Sequence, residues 1–175
     1  MTHEQPPVMA LTVATLGCIL VFLSGCSAYQ MGAPDKLPFT SIYVEPVDNR
    51  TFAPQAASVL TSQIIREFER DGRLAAEPES SADATLAVQL VDLTREIRVM
   101  REDDTGLARK IRLTLVADCS LTRNGTGEVY FSRRQVTAET EVFLDDGQNP
   151  AEFQATPVLT RNLAFNISHA VLDTW

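Results

Sequence analysis

In Ile111, Leu113, Leu115, Ala117, Cys119 and Leu121 every second residue is apolar, with Arg112, Thr114, Val116, Asp118 and Ser120 between them. Successive side chains of a β-strand point to opposite faces, so this period of two turns one face to a core and leaves a mixed face outside. Cys119 lies on the apolar face and is expected to be a packed core thiol. Two similar segments flank this one. From Ala84, the residues Leu86, Val88 and Leu90 alternate with Thr85, Ala87 and Gln89, and the strand is expected to run on through Ile97 and Val99. Residues 128–143 have the same character. Only a charged turn at 101–106 and the turn Asn124-Gly125-Thr126-Gly127 separate the three, which predicts an antiparallel meander. Strands this long are expected to outrun the helices that cover them.

Elsewhere the period changes. Residues 39–47 read as a first strand with Ile42 and Val44 on one face and Tyr43 on the other, ending at Pro46, which lacks an amide proton. Asp48-Asn49-Arg50-Thr51 reads as a turn. Over 54–70 the apolar residues Leu60, Ile64 and Phe68 recur four apart below Ala57, while Gln63, Arg66, Glu67 and Arg70 take the remaining positions. That is an amphipathic helix, closed by Asp71-Gly72. A second helix is expected after the break at 145–150, capped by Thr156 with Pro157 at its first position and marked by Leu159, Leu163, Ile167 and Val171. The order β-α-β-β-β-α predicts an α/β two-layer sandwich, two helices on one face of a four-stranded sheet. The connection lengths suggest that the sheet is mixed.

The start of the chain is of another kind. Residues 8–23 are an apolar run shorter than the roughly 20 residues a spanning helix needs, and Leu23-Ser24-Gly25-Cys26 follows directly. This arrangement predicts a lipoprotein signal peptide over 1–25, cleavage before Cys26 and lipid on its sulfur. The segment 1–7 carries no Lys or Arg, although a positive start is usual for such leaders. Residues 26–38, with Gly32, Pro34 and Pro38, read as a tether, and 39–175 as one domain. Several acyl chains at one residue make a stable anchor, since each buried methylene contributes about 0.8 kcal/mol. Ser27 is not the aspartate that retains lipoproteins in the inner membrane of many Gram-negative bacteria, so resemblance to such lipoproteins implies the periplasmic face of the outer membrane as the expected location.

The formal net charge of -8 disfavours nucleic acid as a partner. With Cys18 in the leader and Cys26 lipidated, Cys119 would be the one thiol left, and no internal disulfide is available to the mature chain. Groups able to act together in catalysis are scarce. His169 sits near Asp173 on the flank of the second helix, and neither Asp103-Asp104 nor Asp145-Asp146-Gly147 has the spacing of a calcium loop. No metal site, cofactor or enzymatic activity is expected.

The basic residues are more suggestive. Arg95, Arg98 and Arg101 occupy the far half of the second strand, Arg109, Lys110 and Arg112 begin the third, and Arg133 and Arg134 lie within the fourth. If the strands form hairpins, the first two groups meet across the 101–106 turn. A guanidinium matches phosphate well, so Arg95, Arg98, Arg109, Lys110 and Arg112 are candidate contacts for an anionic headgroup. The same side chains could instead pair with Glu96, Glu102 and other strand-face acids.

Several short motifs carry a family resemblance. They are Cys26-Ser27-Ala28-Tyr29-Gln30, then Ile42-Tyr43-Val44-Glu45-Pro46-Val47-Asp48-Asn49-Arg50-Thr51, the helix ending Arg70-Asp71-Gly72-Arg73-Leu74, and Ala82-Asp83-Ala84-Thr85-Leu86. In this order they resemble the lipopolysaccharide-assembly lipoprotein family LptE. The resemblance implies a two-helix, four-strand domain anchored in the outer membrane. It would plug and help assemble an LptD-type β-barrel and bind lipopolysaccharide on its way to the cell surface. The basic strand residues fall in no motif, so the resemblance assigns them no role. A secretin pilotin or an activator of a peptidoglycan synthase is the alternative adaptor, and co-purification with a secretin or a synthase rather than a barrel would favour it.

Overall fold

The computed structural model describes residues 37–98, 109–144 and 150–173. For 97, 98, 109, 143, 144 and 150–153 the backbone alone is described. Cys26 and the tether as far as residue 36, Val99, Arg101, and the acidic pairs at 103–104 and 145–146 lie outside the described residues.

The elements are β1 (Ser41–Val44), β2 (Asp48–Asn49), α1 (Ala56–Asp71), β3 (Ala75–Ala76), β4 (Ala84–Arg98), β5 (Arg109–Arg123), β6 (Val129–Leu144) and α2 (Pro150–Leu172). The sheet runs β3-β1-β4-β5-β6, with β2 also paired to β4. β1 is parallel to β3 and β4, β2 is parallel to β4, and β4, β5 and β6 form the expected antiparallel meander. The sheet is therefore mixed, with both helices packed on one face. It has six strands where four were expected, because two segments read as connections each pair over two residues.

The extra strand β2 follows from Pro46. The proline donates no hydrogen bond, so pairing stops after the Glu45 amide reaches Leu86 O at 3.0 Å. It resumes one residue out of step: Val44 lies opposite Leu86, but Asp48 lies opposite Gln89. Asp48 and Asn49 thus extend the first strand along β4 before the chain turns. Asn49 makes that turn, accepting the Thr51 amide at 2.9 Å and donating from Nδ2 to Ala53 O at 2.8 Å.

Leu60, Ile64 and Phe68 of α1 and Leu163, Ile167 and Val171 of α2 are fully buried, facing Ile42, Leu86, Leu90, Leu115 and Leu121 of the sheet. At the end of α1, Gly72 takes φ 77°, a left-handed conformation that suits glycine, and its amide donates to Phe68 O at 3.0 Å. The second helix corrects a sequence expectation. It begins at Pro150 rather than at Thr156, and Pro157 lies inside it. Proline weakens a helix by removing one amide. Here Ala155 and Leu159 are buried on either side of it, so packing outweighs the local preference. Gln63 of α1 adds a tie by donating from Nε2 to Pro157 O at 3.0 Å. Leu37–Trp175 forms a compact unit, and among the described residues its buried core runs from Phe39 to Leu172.

Candidate functional site

A β-bulge decides where the basic residues point. Pairing between β4 and β5 shifts after Leu90, which lies opposite Ala117, so that Asp92 lies opposite Val116 and Val91 is the extra residue. Before the bulge the even-numbered residues of β4 face the helices. Beyond it the odd-numbered ones do, and Leu93 and Arg95 come to lie opposite the buried Leu115 and Leu113. Arg112 lies opposite Glu96 on the other face of the sheet, and Lys110 occupies the ladder position opposite Arg98. The candidate headgroup residues therefore share one end of the meander but are divided between its two faces.

On the open face, which no described helix covers, Lys110 pairs with Glu141, and Arg112 reaches Glu139 at 3.7 Å and Glu141 at 3.5 Å. The Lys110 hydrogen bond, and then the Arg112 contacts, hold the Glu141 carboxyl below its ordinary pKa. Arg98 and Arg109 lie at the strand ends, Arg109 opposite Leu144 in the ladder. Beyond this charged end the open face carries Thr85, Gln89, Ser120 and Thr137, with Ala87, Val116 and Asp118 among them.

On the helix side, Arg95 borders a cleft of about 900 Å³ between the bulged end of the sheet, the start of α1 and the first half of α2. Val59, Leu93, Leu113, Leu115 and Leu159 supply apolar walls. Arg50, Phe52 and Gln55 line it from the β2–α1 loop, and Phe52 is fully exposed at 102%. Periodicity alone does not reveal this cleft, because Leu93 reaches it only through the bulge. The one local signal was an aromatic residue in the polar loop Asn49-Arg50-Thr51-Phe52.

The remaining candidates are structural. Arg134 is turned toward the helices, where Nη1 donates to Ala170 O at 2.8 Å and the guanidinium lies 4.1 Å from the Phe131 ring centre. Arg133, with φ 50°, sits at a second irregularity of the ladder and reaches Asp118 at 3.4 Å. His169 is half exposed, with Nδ1 2.7 Å from Asp173 Oδ2. Cys119 is fully buried, and burial pushes its thiol up to about 12. Among the described residues no cluster of three His, Cys, Asp or Glu side chains could hold a metal ion.

The motif residues also have local work. Asp71 takes Arg73 Nε at 2.7 Å and Arg73 Nη2 at 3.1 Å, and Arg73 also reaches Asp173 at 3.6 Å, joining the ends of the two helices. Asp83 ties β4 to β1. These contacts shape the scaffold rather than a ligand site.

The family model for lipopolysaccharide assembly, LptE, matches residues 39–170. The chain belongs to the LptE family. Its match spans the helix-covered sheet from Phe39 to Ala170, and it decides against the pilotin and synthase-activator alternatives. LptE proteins are non-catalytic, lipid-anchored lipoproteins of the outer membrane that face the periplasm, and this one is an adaptor for an LptD-type β-barrel in lipopolysaccharide assembly. Among curated proteins none matches. Among solved structures, a protein from Xanthomonas campestris is 14% identical, with 82% of this chain and 89% of that chain covered and a TM-score of 0.54, a likeness of fold alone. Lipoprotein B from Nitrosomonas europaea is 18% identical over 81% of this chain and 84% of that one, with a TM-score of 0.47. A minor lipoprotein from Acinetobacter baumannii is 14% identical over 78% and 95%, with a TM-score of 0.48.

Proposed function

We propose that this LptE protein is anchored by lipid on Cys26, seats its polar open sheet face in the lumen of its barrel, and binds lipopolysaccharide directly. A wide outer-membrane barrel has a polar interior, which suits a face rich in Thr, Ser, Gln and charged side chains better than an apolar one. The observation that supports lipopolysaccharide contact is the gathering of Arg95, Lys110 and Arg112, with the ladder positions of Arg98 and Arg109, at one end of an acidic protein. The ion pairs of Lys110 and Arg112 with Glu139 and Glu141 are partly exposed, where such pairs contribute little, so a phosphate of higher charge can displace the carboxylates.

The partner is tested by purifying the lipidated chain from membranes and identifying what comes with it. An LptD-type barrel is expected, and recovery of a secretin or a peptidoglycan synthase in its place would refute the assignment. Lipopolysaccharide contact is tested by titrating wild type and the Lys110→Ala/Arg112→Ala double variant at low and moderate salt. The variant should bind more weakly and lose part of the salt dependence. Equal binding would remove the open-face residues from the site.

A further inference from the structure

We propose that the cleft beside Arg95 is a receptor for an acyl chain of an anionic lipid, with the chain on the apolar walls and the charged group at the mouth. The proposal rests on the reading that lipopolysaccharide is bound directly, and it names the part of that ligand the cleft takes. The volume of about 900 Å³ lies near the top of the roughly 300–1,000 Å³ typical of small-ligand clefts. Val59, Leu93, Leu113, Leu115 and Leu159 offer nothing a polar ligand could use. An alkyl chain is the occupant that such walls favour.

Three features of the mouth select a negative headgroup. Arg95 borders it on the sheet side, and Arg50 borders it on the loop side, where it makes an exposed pair with Asp48 at 3.4 Å. The third is the start of α1, which lines the cleft through Gln55 and Ala56, has no side-chain cap and has no acidic residue in its first turn. The partial positive charge of a helix amino terminus is therefore left unopposed by its own turn. One acid, Asp92, also lines the cleft; it is exposed, its ladder position opposite Val116 belongs to the other face of β4, and it accepts the Thr94 hydroxyl at 2.8 Å. Phe52, fully exposed at the rim, can close over a bound chain.

The test uses the chain beginning at Ser27, since the domain that follows carries its own core. Octyl, decyl and dodecyl phosphate are titrated below their aggregation limits, with dodecyl maltoside and inorganic phosphate as controls and amide chemical shifts as the readout. Affinity should rise about fourfold per added methylene, shifts should centre on Val59, Leu93 and Leu113, and inorganic phosphate should not displace the probe. Val59→Trp, which fills the cleft, should weaken dodecyl phosphate about tenfold. If that variant fails to fold, the exposed Arg95→Glu carries the test, weakening dodecyl phosphate but not dodecyl maltoside. Affinity independent of chain length, or shifts confined to the open face, would overturn the proposal. Lipopolysaccharide titrated in parallel separates the two readings. Binding that ignores Val59→Trp and Arg95→Glu removes the cleft and leaves direct binding standing, whereas alkyl phosphate in the cleft without lipopolysaccharide binding does the reverse.

Discussion

Ser41 and Asp83 hydrogen-bond each other in both directions. The Ser41 amide donates to Asp83 Oδ2 at 3.1 Å, and the Asp83 amide donates to Ser41 Oγ at 3.0 Å. The same carboxylate oxygen accepts the Thr40 amide at 2.9 Å and the Thr40 hydroxyl at 3.0 Å. One side chain thus fixes the start of β1 beside the start of β4, two strands separated in sequence by all of α1. The hydrogen bonds from Thr40 and then Ser41 hold the Asp83 carboxyl below its ordinary pKa. A lowered folded-state value means that the group stabilises the fold above the unfolded value near 3.8 and loses that contribution as pH falls through the folded one. Asp83→Asn should therefore unfold at lower urea than wild type at pH 7. The gap should close as the pH falls below 3.8, measured by urea midpoints across the acid range.

Strand β6 is the edge of the sheet, and an edge of such length invites pairing with another chain. Helix α2 blocks it. Asn166 Nδ2 donates to Thr137 O at 2.7 Å, and Asn162, one turn earlier, donates to Glu139 O at 3.4 Å. The double variant Asn162→Ala/Asn166→Ala should lose on the order of 1 kcal/mol per bond and release two edge carbonyls. Concentration-dependent self-association in sedimentation velocity is the expected outcome. A strictly monomeric double variant would show that the edge is protected by other means.

Cys119 offers a direct measure of core integrity, because in a chain beginning at Ser27 it is the sole thiol. Desolvation raises it to about 12, so the native thiolate population at pH 8 is negligible and access is blocked as well. Labelling by a disulfide reagent should proceed only through unfolding. Its rate should rise steeply with urea and match the unfolding equilibrium. Since the unfolded thiol ionises well before the folded one, stability should also decline as pH rises above about 9.

Much of this fold was legible because burial imposes a period. The alternation of Ile111 to Leu121 and the fourfold spacing of Leu60, Ile64 and Phe68 each identified an element, and both stripes are buried as that reading requires. What failed to show in the sequence depends on partners far along the chain. Asp48 and Asn49 form a strand only because β4 lies beside them, and Pro157 stays in its helix because Ala155 and Leu159 are packed. The division of Arg95 from Arg112 was hidden for a different reason. A single bulged residue, Val91, inverts the faces of everything after it, and no local property of Val91 announces this. The basic cluster was legible as composition, while its geometry was not.

Arg134 shows why that distinction matters, since its sequence context is as basic as that of Arg112 while its surroundings are those of a structural residue. The strand irregularity at Arg133 turns Arg134 onto the helix side, opposite Cys119 in the ladder. There its guanidinium meets the carbonyl of Ala170, within the last turn of α2, where carbonyls lack helical partners and the helix dipole is negative. The Phe131 ring supports the same cation from below. Arg134→Ala should therefore destabilise the domain by about 1.5–3 kcal/mol, the usual range for a hydrogen bond from a charged donor. Lys keeps the charge but not the planar fork, so Arg134→Lys should recover only part of the loss. Urea midpoints measure the stability, and lipopolysaccharide titrations below the unfolding range measure the binding. Reduced stability with unchanged affinity is the expected pair of results; weakened binding by a fully folded variant would instead place Arg134 in the ligand site.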